Sequence, residues 1–208
     1  MGGQVILVGR DNLLLALILT MITCLVLGMG IPTIPNYIIT SSLAAPILLK
    51  LGVPLIISHM FVFYFGIMAD LTPPVALAAF AAAPIARERP LKIGVNAVRI
   101  AIAGFIVPYM AVYAPALMMQ GDSWLATGYV TFKAVVAVGL WGAAAIGFVA
   151  SPLNWLERIY VLLAACFLVV ATPASDQIGF ATAAGFVLWH IWRTRRWRAA
   201  AGLAAQPR

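Results

Sequence analysis

The segments GMGIPT at residues 28–33 and LTPP at residues 71–74 are two helix-breaking clusters inside otherwise apolar sequence. Glycine permits positive φ angles and close backbone approach, and proline removes an N–H that an α-helix needs. In a bilayer no water satisfies the backbone groups freed by a break, so irregular backbone persists only where protein buries it or where it lines a cavity. The two breaks therefore predict a binding site within a membrane protein.

The composition also favours a membrane location. Of the 208 residues, 64% are hydrophobic and 9% are charged, whereas soluble domains carry about 25% charged residues. Several apolar stretches reach or approach the roughly 20 residues that a spanning helix needs. The net charge of +7 comes from basic residues in short loops and at the C-terminus, a pattern typical of membrane topology rather than nucleic-acid binding. We expect an all-α integral membrane protein whose partners include the lipid bilayer but no nucleic acid.

The first break joins two short apolar arms, at residues 13–27 and 38–49. Both arms are shorter than a comfortable membrane span. Short arms around a Gly/Pro tip favour a re-entrant helical hairpin, which enters and leaves on one membrane face; an ordinary span followed by a kinked one is the alternative. At the tip, Thr33 and Asn36 offer side-chain oxygens either to a cation or as caps of the second arm.

The second break interrupts the next apolar stretch. Residues 55–69 are expected to be helical up to Asp70, and a small-residue helix is expected over residues 75–85 after the break. Asp70 is a candidate functional group, because placing a carboxylate inside a membrane costs free energy and such residues are usually functional. His59 shares a helix face with Asp70 but lies about 16 Å away along the axis. We interpret His59 as an interfacial, hydrogen-bonded histidine, with a proton relay as the alternative.

About four further transmembrane helices are expected after the second break, over residues 98–118, 133–149, 157–172 and 178–192. With an outward-opening hairpin, the cytoplasmic side would carry ten basic residues against three on the outer side, which are Arg10, Lys50 and Lys133. This positive-inside bias predicts a multi-pass protein with a cytoplasmic C-terminus.

The predicted organisation has five parts: an N-terminal segment (1–11), the hairpin with the broken helix (12–85), a basic loop with a transmembrane helix (86–121), C-terminal helices (122–192) and a basic cytoplasmic tail (193–208). The sequence shows no nucleotide-binding glycine loop, no metal-binding histidine pair and no nucleophile elbow. We therefore expect neither an enzyme nor a bound cofactor.

Several motifs in series carry a family resemblance: GMGIPT (28–33), LGVP (51–54), HMFVFYF (59–65), LTPPVALAAF (71–80), GFIVPY (104–109) and YAPAL (113–117). Together they resemble the C-terminal half of the large permease subunit of tripartite ATP-independent periplasmic (TRAP) transporters. Within that family they look like the fused-permease branch that works with a TAXI-type binding protein. The resemblance is strong over residues 12–121 and extends beyond them in hydropathy only.

The resemblance implies half of an inverted-repeat, elevator-type secondary transporter in the bacterial inner membrane. Such a protein would import an organic acid, a carboxylate, by sodium symport. Its implied partners are a periplasmic substrate-binding protein, the remaining permease half, and a small membrane subunit or its fused equivalent. Sodium would be the coupling ion, with no cofactor.

The residues that the resemblance places at the substrate and cation site are Gly28, Gly30, Pro32 and Thr33 at the hairpin tip and Thr72, Pro73 and Pro74 at the second break. As sodium ligands we expect Gly28, Gly30, Thr33 and Thr72. Asn36 and Asp70 join the candidate site because of their position and chemistry; the family resemblance does not supply Asp70 as a ligand.

The chain begins about where the family's second hairpin begins, and no first repeat is evident. A half-permease cannot form a pseudo-symmetric site alone. We therefore expect a fragment of a split or truncated gene, or a second chain that supplies the missing half. Two other functions stay open: a truncated, non-transporting module or scaffold for a partner permease, and proton-coupled transport through Asp70.

Overall fold

The computed structural model describes residues 12–121, 123–170 and 172–204, so the predicted N-terminal segment, with Arg10, lies outside the described residues. The described part is helical and contains no β-strand. Its α-helices are α1 (Leu13–Gly28), α2 (Thr33–Lys50), α3 (Leu55–Met68), α4 (Leu77–Ala86), α5 (Pro90–Ala101), α6 (Val107–Tyr113), α7 (Trp124–Ile146), α8 (Trp155–Val169) and α9 (Pro173–Ala204). The chain divides into two compact units, one up to Val130 and one from Thr131.

In the first unit, α1 and α2 form a helical hairpin that packs against α3. The Asn12 side chain caps α1 by accepting a hydrogen bond from the Leu15 N–H at 3.2 Å. Leu17 near the start of α1 and Leu48 near the end of α2 belong to one buried apolar cluster with Phe61 of α3. The two arms therefore run antiparallel, with the first break at their tip.

The predicted start of the second arm at Ile38 is wrong. Helix α2 begins at Thr33, so Pro35 and Asn36 lie in its first turn. Proline is tolerated there because the first N–H groups of a helix have no intrahelical acceptor. The arm is therefore 18 residues long, about 27 Å at 1.5 Å per residue, and arm length no longer separates a re-entrant arm from a spanning one.

The second break lies where the sequence predicts it. Helix α3 ends at Met68 and α4 begins at Leu77. The Pro73–Pro74 peptide bond in this segment is cis, and Ala76, directly before α4, has a φ of +41°. The intervening chain turns tightly, because the Asp70, Leu71 and Thr72 N–H groups each donate to the carbonyl three residues earlier.

Four helical stretches follow the broken helix in the described residues, but only two are long and apolar enough to cross a membrane. They are Pro90–Tyr113, which combines α5 and α6 through a 3₁₀ turn, and Trp124–Ile146, which is α7. Helix α8 has 15 residues, about 22 Å, so the predicted span over residues 157–172 is short for a bilayer. Helix α9 contains the whole predicted last span, residues 178–192, and continues beyond Trp192 to Ala204.

The prediction that Lys133 lies at an outer loop is wrong. Lys133 lies inside α7 and is 4% exposed. In the second unit its ammonium group forms an ion pair with Asp176 of α9 and donates to the Val170 carbonyl oxygen at 3.1 Å. A buried cation needs such partners, so Lys133 joins α7 to the turn between α8 and α9 and does not mark a membrane surface.

Candidate cation and substrate site at two helix breaks

The tip of the hairpin and the second break lie against each other. A Cβ atom added to Gly28 would be 2.8 Å from the Ala69 Cβ and 2.9 Å from the Gly66 carbonyl oxygen. A Cβ added to Gly30 would lie 3.7 Å from Cγ1 of Val75. Only glycine at residue 28 allows this approach, and Gly30, with φ at +79°, makes the turn. The structure thus brings together two breaks that are about forty residues apart in sequence.

Asn36 holds this junction together. Its side chain is 1% exposed, and its Nδ2 donates a 2.7 Å hydrogen bond to the carbonyl oxygen of Gly66 on α3. The Gly66 carbonyl is available because the Asp70 N–H, which would bond to it in a continued helix, donates to Ile67 instead. Asn36 therefore satisfies a backbone acceptor that the second break sets free.

The oxygen atom of the Asn36 amide indicates a binding site. Its Oδ1 is buried and has no hydrogen-bond partner among the described residues. Leaving a buried amide oxygen unpaired costs about 1–3 kcal/mol, so such atoms are rare in folded proteins. A bound cation would satisfy this oxygen.

Asp70 and Thr72 supply further oxygens on the second break. Oδ1 of Asp70 is also buried and without a hydrogen-bond partner in the described part of the chain. The Thr72 hydroxyl donates to the Met68 carbonyl at 2.7 Å, so its oxygen keeps lone pairs that can accept or coordinate. Two backbone carbonyl oxygens at the breaks each accept one hydrogen bond already, Asp70 from the Ala78 N–H at 3.2 Å and Gly28 from the Ile31 N–H at 3.4 Å. A carbonyl oxygen has two lone pairs, so each keeps one for a ligand.

The remaining predicted site residues line the outside of the junction. Pro32 and Thr33 are exposed at the start of α2, and no side chain caps this helix. Pro74 is exposed, whereas Pro73 faces α5, since a Cβ on Gly94 would lie 3.2 Å from its Cγ. The structure thus places neither Thr33 nor Asn36 as a helix cap.

His59 belongs to a separate contact, farther along α3. Its Nδ1 lies 3.0 Å from the Tyr37 hydroxyl of α2, and the two rings meet edge to face. The histidine is therefore hydrogen-bonded, as the sequence predicts, and it joins the second hairpin arm to α3.

Sequence reasoning missed Gly66 and Val75. Gly66 is the only glycine in a helix otherwise rich in bulky residues, and a lone helical glycine often marks close backbone approach. That signal could have identified it. Val75 carries no such signal, because an apolar residue after two prolines has nothing to distinguish it.

The candidate ligand atoms on the two breaks are oxygens, from the Asn36 amide, the Asp70 carboxylate, the Thr72 hydroxyl and backbone carbonyls. Small hard cations prefer such ligands. No three His, Cys, Asp or Glu side chains cluster anywhere in the described residues. Oxygen ligands of these kinds suit hard cations better than soft transition metals.

The family model for the tripartite ATP-independent periplasmic transporter, DctM component, matches residues 3–122. Because the match covers more than half of the chain, this protein belongs to the DctM component family of TRAP transporters. Members of this family are multi-pass proteins of the inner membrane. They are transporters, not enzymes, and carry out TRAP-type secondary transport of organic acids. They generally work with a substrate-binding protein and a small membrane subunit. Neither a curated protein nor a solved structure matches the chain.

Proposed function

We propose that this chain is the C-terminal portion of a sodium-coupled TRAP permease of the TAXI-type branch, and that its two breaks form half of a site for sodium and a carboxylate substrate. The observation that carries the proposal is the meeting of both breaks at Asn36, whose buried amide oxygen has no partner among the described residues. The predicted site residues lie on these two segments.

Sodium would bind among the oxygens of the junction. The proposed ligands are Oδ1 of Asn36, the Thr72 hydroxyl and backbone carbonyls at Gly28 and Gly30, with the Thr33 hydroxyl at the rim. Unwound carbonyls coordinate coupling ions in many broken-helix transporters. Membrane potential would then contribute about 2.3 kcal/mol per charge per 100 mV to inward transport.

The substrate carboxylate would lie near the starts of α2 and α4. Neither helix has a side-chain cap. In α4 the Ala78 N–H already donates to the Asp70 carbonyl, so the carboxylate would use other N–H groups of the first turns. Helix N-termini carry partial positive charge and favour anions. A cation bound at the neighbouring breaks would add to this attraction, which couples substrate binding to sodium binding.

A second hairpin and broken helix, supplied by the remaining permease half, would complete the site. Broken-helix transporters bind substrate between two inverted repeats, and the described residues contain one such module. We propose that the α1–α2 hairpin is re-entrant, that the C-terminus is cytoplasmic, and that a periplasmic binding protein delivers the carboxylate.

Replacing Thr72 by Ala tests the sodium assignment in a reconstituted complete permease. We expect the sodium concentration for half-maximal uptake to rise about tenfold, because interactions with charged groups contribute about 1.5–3 kcal/mol and 1.4 kcal/mol is a factor of ten. Thr23→Ala is the matched control, because its hydroxyl makes the same bond to a carbonyl four residues earlier, at 2.8 Å. Unchanged sodium dependence in Thr72→Ala, or an equal change in both variants, would refute the assignment.

Asp70 supports a second candidate, proton-coupled transport, because its buried oxygen also has no hydrogen-bond partner in the described residues. This function predicts uptake that is insensitive to sodium and abolished by Asp70→Asn. A non-transporting scaffold predicts no uptake in any combination of chains.

A further inference from the structure

The turn between α4 and α5 forms a second polar feature, apart from the two breaks. A pocket of about 510 Å³ opens there, and its lining combines charged residues, Arg87, Glu88 and Arg89, with apolar ones that include Phe80 and Pro84. The three charged residues are all exposed. The pocket therefore combines exposed charged groups with apolar side chains.

The lining of the pocket has a net positive charge, because it holds two arginines and one carboxylate, and that carboxylate is already paired with Lys92. Glu88 forms a 2.7 Å ion pair with Lys92 on the first turn of α5, and it accepts the Arg89 N–H at 3.3 Å. The Lys92 ammonium and the Arg89 N–H hold the pKa of Glu88 below its ordinary value, so it stays ionised and turned toward them. Neither Arg87 nor Arg89 has an ion-pair partner among the described residues.

The backbone at Arg87 adopts a left-handed conformation. Arg87 ends α4 with a φ of +51°, a conformation in which glycine is the usual residue. A non-glycine residue there is strained, and strained positions are often retained for function.

The surroundings are those of a membrane boundary. Ile85 is 87% exposed, Leu91 is 60% exposed and Phe80 is 50% exposed. Large apolar side chains with this exposure, beside two arginines, fit the level where lipid headgroups meet acyl chains. Basic pockets between transmembrane helices are sites where anionic lipid headgroups bind.

We propose that the α4–α5 turn binds an anionic glycerophospholipid, with Arg87 and Arg89 on its phosphodiester and one acyl chain along Phe80 and Pro84. Guanidinium groups match phosphate oxygens in geometry as well as in charge. The lipid would anchor the end of the broken helix to the start of the Pro90–Tyr113 span.

Native mass spectrometry of the delipidated full chain tests the proposal, by titration with phosphatidylglycerol, phosphatidylcholine and glycerol 1-phosphate. We expect a saturable phosphatidylglycerol site, with much weaker binding of the other two. Arg87→Gln/Arg89→Gln should weaken phosphatidylglycerol binding about 30-fold, since each basic residue near a lipid surface is worth roughly a fivefold change. Lysine at both positions should restore most of the affinity.

Lys50→Gln/Arg99→Gln is the matched control, because it removes the same charge from two exposed residues outside the pocket. Arg87→Gly separates binding from folding: relief of the positive φ should keep or raise thermal stability, while phosphatidylglycerol affinity falls about fivefold. Equal loss in both double variants would overturn the proposal, as would equal wild-type affinity for phosphatidylcholine, or binding of glycerol 1-phosphate as tight as that of the lipid.

Discussion

Gly28→Ala probes the junction between the two breaks most directly. The added Cβ would lie 2.8 Å from the Ala69 Cβ, 2.8 Å from Nδ2 of Asn36 and 2.9 Å from the Gly66 carbonyl oxygen. Two of these three atoms are Cβ or backbone atoms, which cannot rotate away. The steric clash can therefore be relieved only if the hairpin tip moves away from α3. Overpacking of this kind costs about 1–3 kcal/mol.

For a chain of this size, 1 kcal/mol shifts the melting temperature by about 2–4 °C. We therefore expect Gly28→Ala to melt about 2–12 °C below the wild type, measured by far-UV circular dichroism in detergent. Sodium-dependent uptake by the complete permease should fall as well, because the amide of Asn36 would be displaced.

Gly128→Ala is the control for the intrinsic effect of alanine. No described atom lies within 4 Å of a Cβ at Gly128 in α7, so this change should be neutral or stabilise by up to about 1 kcal/mol through helix propensity. If Gly28→Ala is as stable as Gly128→Ala, the close approach of the two breaks is refuted.

Three further changes test individual contacts, with melting temperature as the measurement. Asn36→Ala removes the bond to a freed carbonyl of α3 and should cost about 1–3 kcal/mol; an unchanged melting temperature would contradict this bond. Tyr37→Phe removes the 3.0 Å contact with His59 and should cost about 0.5–1.5 kcal/mol, whereas a loss above that range would show another role for the hydroxyl. Lys133→Met leaves Asp176 without its cation and should cost about 3–5 kcal/mol; the double variant with Asp176→Leu should recover most of the loss, and failure to recover would argue against the ion pair.

The positions of the breaks were predictable because they follow from local chemistry. Two successive prolines strongly disfavour a helix interior, and the end of α3 at Met68 and the restart at Leu77 lie within two residues of the predicted limits. Single prolines are accommodated inside α2, at Pro46, and inside α4, at Pro84. The start of α2 was missed for a related reason. Proline is favoured in the first turn of a helix, and sequence alone did not show that the helix begins at Thr33, ahead of Pro35.

The contacts at the site could not be predicted, because they join residues far apart in the chain. The bond between Asn36 and Gly66 spans 30 residues, and it exists because two separate breaks face each other. Lys133 shows the same limit, because a lysine at the edge of an apolar run is usually a topology marker. Its burial and its ion pair with Asp176 depend on helices that are distant in sequence. The predicted domain divisions at residues 11/12, 85/86, 121/122 and 192/193 stay predictions.

The most direct test of the proposed site is uptake of labelled carboxylates by proteoliposomes. C4-dicarboxylates, 2-oxoglutarate and glutamate would be supplied with and without an inward sodium gradient, to this chain alone and to this chain with the remaining permease half and the binding protein. We predict uptake only in the combined sample, and only with sodium. Uptake that proceeds equally without sodium, or silence in the combined sample although its proteins are folded, would contradict a sodium-coupled site at the two breaks.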